Sequence, residues 1–237
     1  MRLRRQVRRM VKAVIFDFDG VILESATIKT EAFRELFCLR CPDHLDAIVA
    51  YHLENVGISR YVKFRHIYDN ILHLPYSEDV EKKLGDEFAD IVLQRVLEAP
   101  FVDGALEFLD EYSESYGCFV ASGTPEDELM LIVERRGLSR YFREVHGTPQ
   151  KKVDIINGIL ADHNYEKREV AFIGDGESDL KAAAAADVPF IARISSECCD
   201  ALRMHSYRMS DLNALPDALE ALSCGRASAI FTGNGEA

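Results

Sequence analysis

The chain has 237 residues, 48% of them apolar and 29% charged, with a formal net charge of −12, enough for one large domain or two small ones with a sizeable core. Its first ten residues, MRLRRQVRRM, hold five arginines and no acid, which leaves 23 basic against 40 acidic residues in the rest; a body that acidic argues against general nucleic-acid binding. No apolar run approaches the roughly 20 residues of a membrane span and no secretory signal is evident, so the expectation is a cytoplasmic protein without a membrane partner.

Residues 1–11 read as a disordered basic arm. The segment KAVIFDFDGVI, Lys12 to Ile22, then gives a short apolar run typical of a buried strand, closed by Asp17, Asp19 and Gly20. Side chains two apart on a strand point the same way. Two such carboxylates, roughly 6–7 Å apart, repel by about 0.6 kcal/mol in water and roughly 2–3 kcal/mol at an effective dielectric near 20. An Asp-Gly turn explains the residues without chemistry; a bound cation and phosphate would explain the repulsion.

From about Ile28 to Ala99 the pattern is helical throughout. Apolar residues recur at three- and four-residue spacing: Ala32, Phe33, Leu36 and Phe37; Leu45, Ile48, Val49 and Leu53; Tyr61, Phe64, Tyr68, Ile71 and Leu72; Val80, Leu84, Phe88, Ile91 and Val92. Pro42 at a first helical position, Ser59 as a cap, and Ser77 before Glu78 and Asp79 mark the starts. Four short helices forming a small bundle are expected over 24–99.

Beyond Phe101 strands alternate with helices: GALEFLDEYSES helical, GCFVAS a strand, PEDELMLIVERRG helical, REVHG a short strand, KVDIINGILADH helical, EVAFIGD a strand, SDLKAAAAAD helical, VPFIARI a strand, then HSYRMS and a last helix, DALEALSC. That alternation implies an α/β fold, a parallel sheet with helices on both faces. The core is expected over 12–23 and 100–224, with the bundle inserted after strand one and a loose tail over 225–237. Asp187 can serve as a left-handed helix cap.

In an open parallel sheet, ligands gather outside the carboxyl ends of the strands. Strand one ends in Asp17 and Asp19. CFVAS ends in Ser122, Gly123 and Thr124, and VAFIG ends in Asp175, with Asp179 four residues on; Lys151 and Lys152 open a helix between them. Thr124, followed by Pro125 and Asp127, reads as a helix cap. Acids, a hydroxyl and an ammonium on one sheet edge are what phosphoryl transfer through a carboxylate needs, with charge neutralised by lysine and by Mg²⁺ held by oxygens. The six cysteines, at 38, 41, 118, 198, 199 and 224, and the seven histidines form no recognisable metal or catalytic motif; reduced thiols are expected.

On these residues the chain resembles the haloacid dehalogenase superfamily, phosphatase type with a helical cap after the first strand, like phosphoglycolate phosphatases and β-phosphoglucomutases. The motifs stand in order: Asp17-Phe18-Asp19-Gly20-Val21-Ile22; Ser122; Lys152, in preference to Lys151; and Gly174-Asp175-Gly176-Glu177-Ser178-Asp179. The resemblance implies a Rossmann-like three-layer core and a Mg²⁺-dependent phosphatase for a small phosphorylated metabolite, monomeric or homodimeric. By it Asp17 is the nucleophile and Asp19 the acid and base. The metal set is Asp17, Asp175 and the backbone carbonyl of Asp19, with Asp179 at the metal shell or orienting Lys152. Ser122 and the Gly123 N–H hold phosphoryl oxygens. The alternatives are a sugar-phosphate mutase of the same superfamily and a non-enzymatic binding protein on the same fold. Within the bundle, NVGISRYVKF resembles a substrate-specificity loop, with Arg60 and Lys63 as candidate substrate-binding cations.

Overall fold

The computed structural model describes residues 10–195, 199–225 and 229–231. Seven parallel strands form one sheet in the order β3-β2-β1-β4-β5-β6-β7: β1 (Ala13–Phe16), β2 (Gly117–Pro125), β3 (Glu144–Thr148), β4 (Val170–Gly174), β5 (Phe190–Arg193), β6 (Tyr207–Met209) and β7 (Ala229–Phe231). The chain runs outward from β1 to β3, then returns to lay β4 against the other side of β1. The order therefore reverses at β1, where a doubly wound sheet opens its ligand crevice.

All four residues of β1 are buried, as befits a strand covered on both faces. Val14 and Phe16 enter one apolar cluster, with Phe108 and Leu109 of α5 (Ala105–Tyr112), Leu129 and Ile132 of α6 (Glu126–Arg135), and Leu215 and Leu219 of α10 (Leu215–Ser223). Ala13 and Ile15 enter the other, with Ile155, Ile156 and Ile159 of α7 (Lys152–Asp162), Ala182, Ala183 and Ala186 of α8 (Glu177–Ala186), and Leu202 of α9 (Asp200–Arg203). The small residues of α8 let that helix pack close to the sheet. It ends at Asp187, in the left-handed conformation at φ 59°.

The helical insertion comprises α1 (Ala26–Cys38), α2 (Leu45–Glu54), α3 (Arg60–His66) and α4 (Glu78–Glu98). Its two connections to the core pair with each other: the Glu24 N–H donates to Pro100 O at 2.9 Å and the Val102 N–H to Ile22 O at 3.0 Å. Phe33 packs edge-on against Phe88, centroids 5.0 Å apart, and lies 5.7 Å from Phe64, so aromatic packing holds the bundle together.

Several expectations differ in detail. Ser77 accepts the Val80 N–H at 3.3 Å, but the Ser59 side chain makes no cap hydrogen bond. Pro42 opens a 3₁₀ turn ahead of α2. A π-helical turn, Ile67–Leu72, extends α3, and α4 runs to 21 residues. Val11, expected in a disordered arm, is buried, and its N–H reaches Ser223 Oγ at 3.4 Å. Residues 229–231, expected in a loose tail, pair in parallel with β6. The expected arm over 1–9, the rest of the tail at 226–228 and 232–237, and Cys198 lie outside the described residues. Cys38, Cys41, Cys118, Cys199 and Cys224 are free thiols. Among the described residues no helix is long and apolar enough to cross a membrane.

Candidate active site

Phe16 pairs with Val120 on one side and Ile173 on the other, so the residues that follow these three strands emerge together. The Asp17 N–H still bonds Ile173 O at 2.8 Å, and its carboxylate accepts the Phe18 N–H at 2.8 Å. The strand ends at Phe16 and Gly20 turns the chain at φ +78°; a Cβ on Gly20 would stand 2.0 Å from Asp175 Oδ2. Only glycine permits both the turn and the approach.

That turn separates the two acids that strand alternation would have aimed the same way. Asp17 faces Lys152, whose Nζ is 3.0 Å from Asp17 Oδ2 and 2.5 Å from Asp179 Oδ1. Asp19 faces the opposite wall, where it accepts hydrogen bonds from Ser25 Oγ at 2.6 Å, Thr124 Oγ1 at 2.9 Å and the Lys29 ammonium. Lys29 also donates to Thr124 Oγ1 at 2.7 Å. Thr124, expected to cap the next helix, thus belongs to the Asp19 network, and α6 starts from Pro125.

Lys152 is the first residue of α7 and is buried, whereas Lys151 is exposed. Asp179 is fully buried, and its second oxygen accepts the Gly176 N–H at 3.0 Å. Both its oxygens are thus engaged in holding Lys152 and the loop after β4. Asp175 directly follows β4, with its Oδ1 buried and without a hydrogen-bond partner among the described residues. Asp17, Asp175 and Asp179 offer oxygens all within 4.8 Å of one another. A clustered all-oxygen donor set with an orphaned carboxylate oxygen fits a hard divalent cation such as Mg²⁺.

The electrostatics follow the same division. Burial pushes the Asp17 carboxyl up to about 7, against the pull of Lys152, with Asp179 and Asp19 adding to the rise. Burial, then the neighbouring Asp17 and Asp179, holds Asp175 well above its ordinary value. Burial also works against ionisation of Asp19, but Lys29, Ser25 and Thr124 outweigh it and keep that carboxyl below the usual range. For Lys152, burial is outweighed by Asp17 and Asp179, which hold the ammonium above its usual value.

Ser122 and Gly123 lie in the neighbouring strand β2, just past its last residue paired with β1. Ser122 is buried, with its Oγ accepting the Thr124 N–H at 3.1 Å. Over this edge lies the loop between α2 and α3. Ser178 Oγ donates to Val56 O at 2.8 Å, and a Cβ on Gly123 would stand 2.5 Å from Gly57 O. The pocket beneath it, partly open to solvent, holds about 50 Å³, room for a handful of waters.

Both candidate cations, Arg60 and Lys63 at the start of α3, line this pocket. Arg60 is paired with Glu128 of α6 at 2.5 Å and lies 4.7 Å over the Phe88 ring. Lys63 is 97% buried and donates to His52 Nδ1 at 3.0 Å. Sequence reasoning missed Lys29 and His52. A signal existed for both: Lys29 falls on the stripe of Ala32 and Phe33, and His52 on that of Ile48 and Val49. A charged or polar residue interrupting an apolar stripe marks a buried polar group.

Comparison with known proteins places this geometry in a family. The sequence model described as haloacid dehalogenase-like hydrolase matches residues 14–193. The chain is similar to a phosphorylated carbohydrates phosphatase of Thermotoga maritima, 24% identical over 188 residues covering 75% of this chain and 82% of that one. It is also similar to a phosphoglycolate phosphatase of Rhodobacter capsulatus, 27% identical over 225 residues covering 88% and 91%. Among solved structures, a β-phosphoglucomutase from Clostridium difficile superposes with a TM-score of 0.71 at 18% identity, covering 91% of this chain and 98% of that one. With the family model spanning most of the chain and the acids set on the C-terminal edge of a doubly wound sheet, this protein belongs to the haloacid dehalogenase-like hydrolases.

Proposed function

We propose that the protein is a Mg²⁺-dependent phosphatase for a small phosphorylated metabolite, working through an aspartyl-phosphate on Asp17. The observation that carries the reading is the setting of Asp17. It is a buried carboxylate with an ammonium 3.0 Å from one oxygen and an orphaned carboxylate oxygen of Asp175 in the same cluster.

A carboxylate attacks a phosphate dianion only when the charge between them is neutralised. Asp17, Asp175 and the backbone carbonyl of Asp19 would hold the metal, which supplies that neutralisation for the phosphoryl oxygens. Lys152, fixed by Asp179, contributes the second positive charge, while Ser122 and the Gly123 N–H take further phosphoryl oxygens. In the first half-reaction an Asp17 oxygen bonds to phosphorus as the ester bond breaks, and Asp19, entering as the carboxylic acid, gives the leaving oxygen its proton. In the second, Asp19, now ionised, takes a proton from water; the water oxygen bonds to phosphorus and Asp17 is released. The hydrogen bonds around Asp19 stabilise its ionised form, the form needed for the second half-reaction.

The test is phosphate release from a panel of small phosphate monoesters, with Mg²⁺ and with EDTA, alongside an assay for isomerised product. Metal-dependent release supports the reading. Isomer without appreciable phosphate would make the protein a mutase, and neither product would leave a binding protein.

A further inference from the structure

Helix α6 holds the insertion at two points, and it holds them unequally. Glu128, Ile132 and Arg136 recur at four-residue spacing, so they line one side of the helix. Arg136, just past its last residue, donates from Nη1 to the carbonyls of Val96 at 3.3 Å, Leu97 at 2.9 Å and Ala99 at 2.6 Å. Its guanidinium lies 4.4 Å over the Phe101 ring. A helix leaves its last carbonyls without partners, and here one side chain of the core satisfies the end of α4. This point adjoins Pro100, where the two connections between insertion and core pair. It is a fixed attachment.

Glu128 makes the other attachment, about 12 Å back along the helix. Its Oε2 is 2.5 Å from Arg60 Nη2 of α3. Arg60 is buried over Phe88 and lines the pocket with Asp17 and Asp19. The second oxygen, Glu128 Oε1, is buried and has no hydrogen-bond partner among the described residues. A buried ion pair roughly breaks even with apolar residues of the same volume, and a half-satisfied carboxylate does worse. Stability therefore does not explain the pair. Its position does: α6 starts straight after Pro125, and Thr124, one residue before, donates to Asp19 at 2.9 Å. The ion pair ties the start of α3, and the loop ahead of it, to the wall that holds Asp19.

We infer that Glu128 is a positioning residue, whose ion pair with Arg60 seats the start of α3 over the reacting acids while Arg136 holds the other end. The inference rests on the phosphatase reading. It gives Arg60 the task of joining insertion to core, and takes it from the cations free to read a leaving group.

The test uses full-length protein with Mg²⁺ and two alkyl esters of the panel whose leaving groups differ in charge. Quenched single turnovers report seating and chemistry without product release. Loss of the seat should slow both esters by the same roughly 10–100-fold in Glu128→Ala. KM should change little, because β2 and α7 of the core hold the phosphoryl group. Glu128→Gln, which presents an acceptor of the same reach, should keep part of the rate. Arg60→Met should match Glu128→Ala on both esters, and the double variant should lose no more than the worse single one, since each breaks the same contact. Backbone amides of residues 55–64 should exchange hydrogen faster in Glu128→Ala while those of β1 do not, which also shows that the variant is folded. A loss confined to one ester overturns the inference, because Arg60 would then be reading the leaving group. So do additive losses in the double variant, or faster exchange with unaltered turnover. No phosphate from any ester with wild type overturns the phosphatase reading, and the positioning role with it. Should Arg60→Met fail to fold, the two Glu128 variants and the exchange rates still decide.

Discussion

Asp17 and Asp19 stand two residues apart in opposite electrostatic surroundings: burial raises the first to about 7 while Lys29, Ser25 and Thr124 overcome burial at the second. The proposed roles call for the reverse at the start of the reaction, Asp17 ionised and Asp19 protonated; a cation at Asp17 would favour its ionised form, and mutation should separate the two roles. Asp17→Asn keeps the side-chain volume and removes the proposed nucleophile, so kcat should fall below about 1% of wild type with an unchanged circular dichroism spectrum; greater turnover would remove Asp17 from that role. Asp19→Ala should lose the roughly 10²–10⁴-fold of general acid–base catalysis on an alkyl phosphate. The loss should be smaller for phosphorylation of Asp17 by p-nitrophenyl phosphate, whose leaving group needs no proton, as read from the pre-steady-state burst. Equal losses would place Asp19 outside proton transfer. At this scale the sequence revealed most where a motif fixed the spacing: Lys152 and not Lys151 reaches the acids. It revealed least where the partner is remote in the chain. The bond from Thr124 to Asp19 spans 105 residues, and local spacing made Thr124 a cap.

Elements were legible in proportion to how much of their burial is local. β1 and β4 are unbroken apolar runs buried on both faces, and the four helices of the insertion show their buried stripe directly. β7 has three residues and exists through its pairing with β6, so no pattern in the sequence announces it. The loop between α2 and α3 is similar: its fit to the core depends on contacts far away in sequence. Gly57 adopts φ +82°, and a Cβ there would stand 2.4 Å from Ser178 Oγ, the hydroxyl that donates to Val56 O. Gly57→Ala therefore adds about 1–2 kcal/mol of left-handed strain and pushes the loop off the edge that carries Lys152. A displacement of this order should cut kcat/KM by roughly 10–100-fold. Ser178→Ala alone should lose less, and the double variant should recover part of the Gly57→Ala loss, since the collision is relieved and the strain is not. Unaltered kinetics in all three would mean that this loop does not shape the site.

For the whole molecule, the acids between β1 and β4 couple stability, pH and metal. Asp17 is raised to about 7 and Asp175 well above its ordinary value, both far from the unfolded range. Between the unfolded and folded values the folded state binds more protons than the unfolded one, so this pair lowers the stability of the metal-free protein as pH rises. His52, held down to about 2, acts in the opposite sense below about 6.5, where the unfolded chain takes up a proton that the folded ring does not. The change in melting temperature on adding Mg²⁺ isolates the metal-linked acids, because His52 enters both sides of that difference. A cation at Asp17 and Asp175 must displace their protons, so its affinity rises with pH. Competition at Asp17 alone changes the affinity about 25-fold between pH 5.5 and 7.5, worth about 2 kcal/mol at saturating metal, and Asp175 adds to it. For a chain of this size that is roughly 4–8 °C. The stabilisation by 10 mM Mg²⁺ should therefore be larger by about that much at pH 7.5 than at pH 5.5, and the difference should shrink in Asp17→Asn, where no proton competes at that position. A Mg²⁺ shift that is the same at both pH values, or absent at both, would mean that the cation does not bind at these carboxylates.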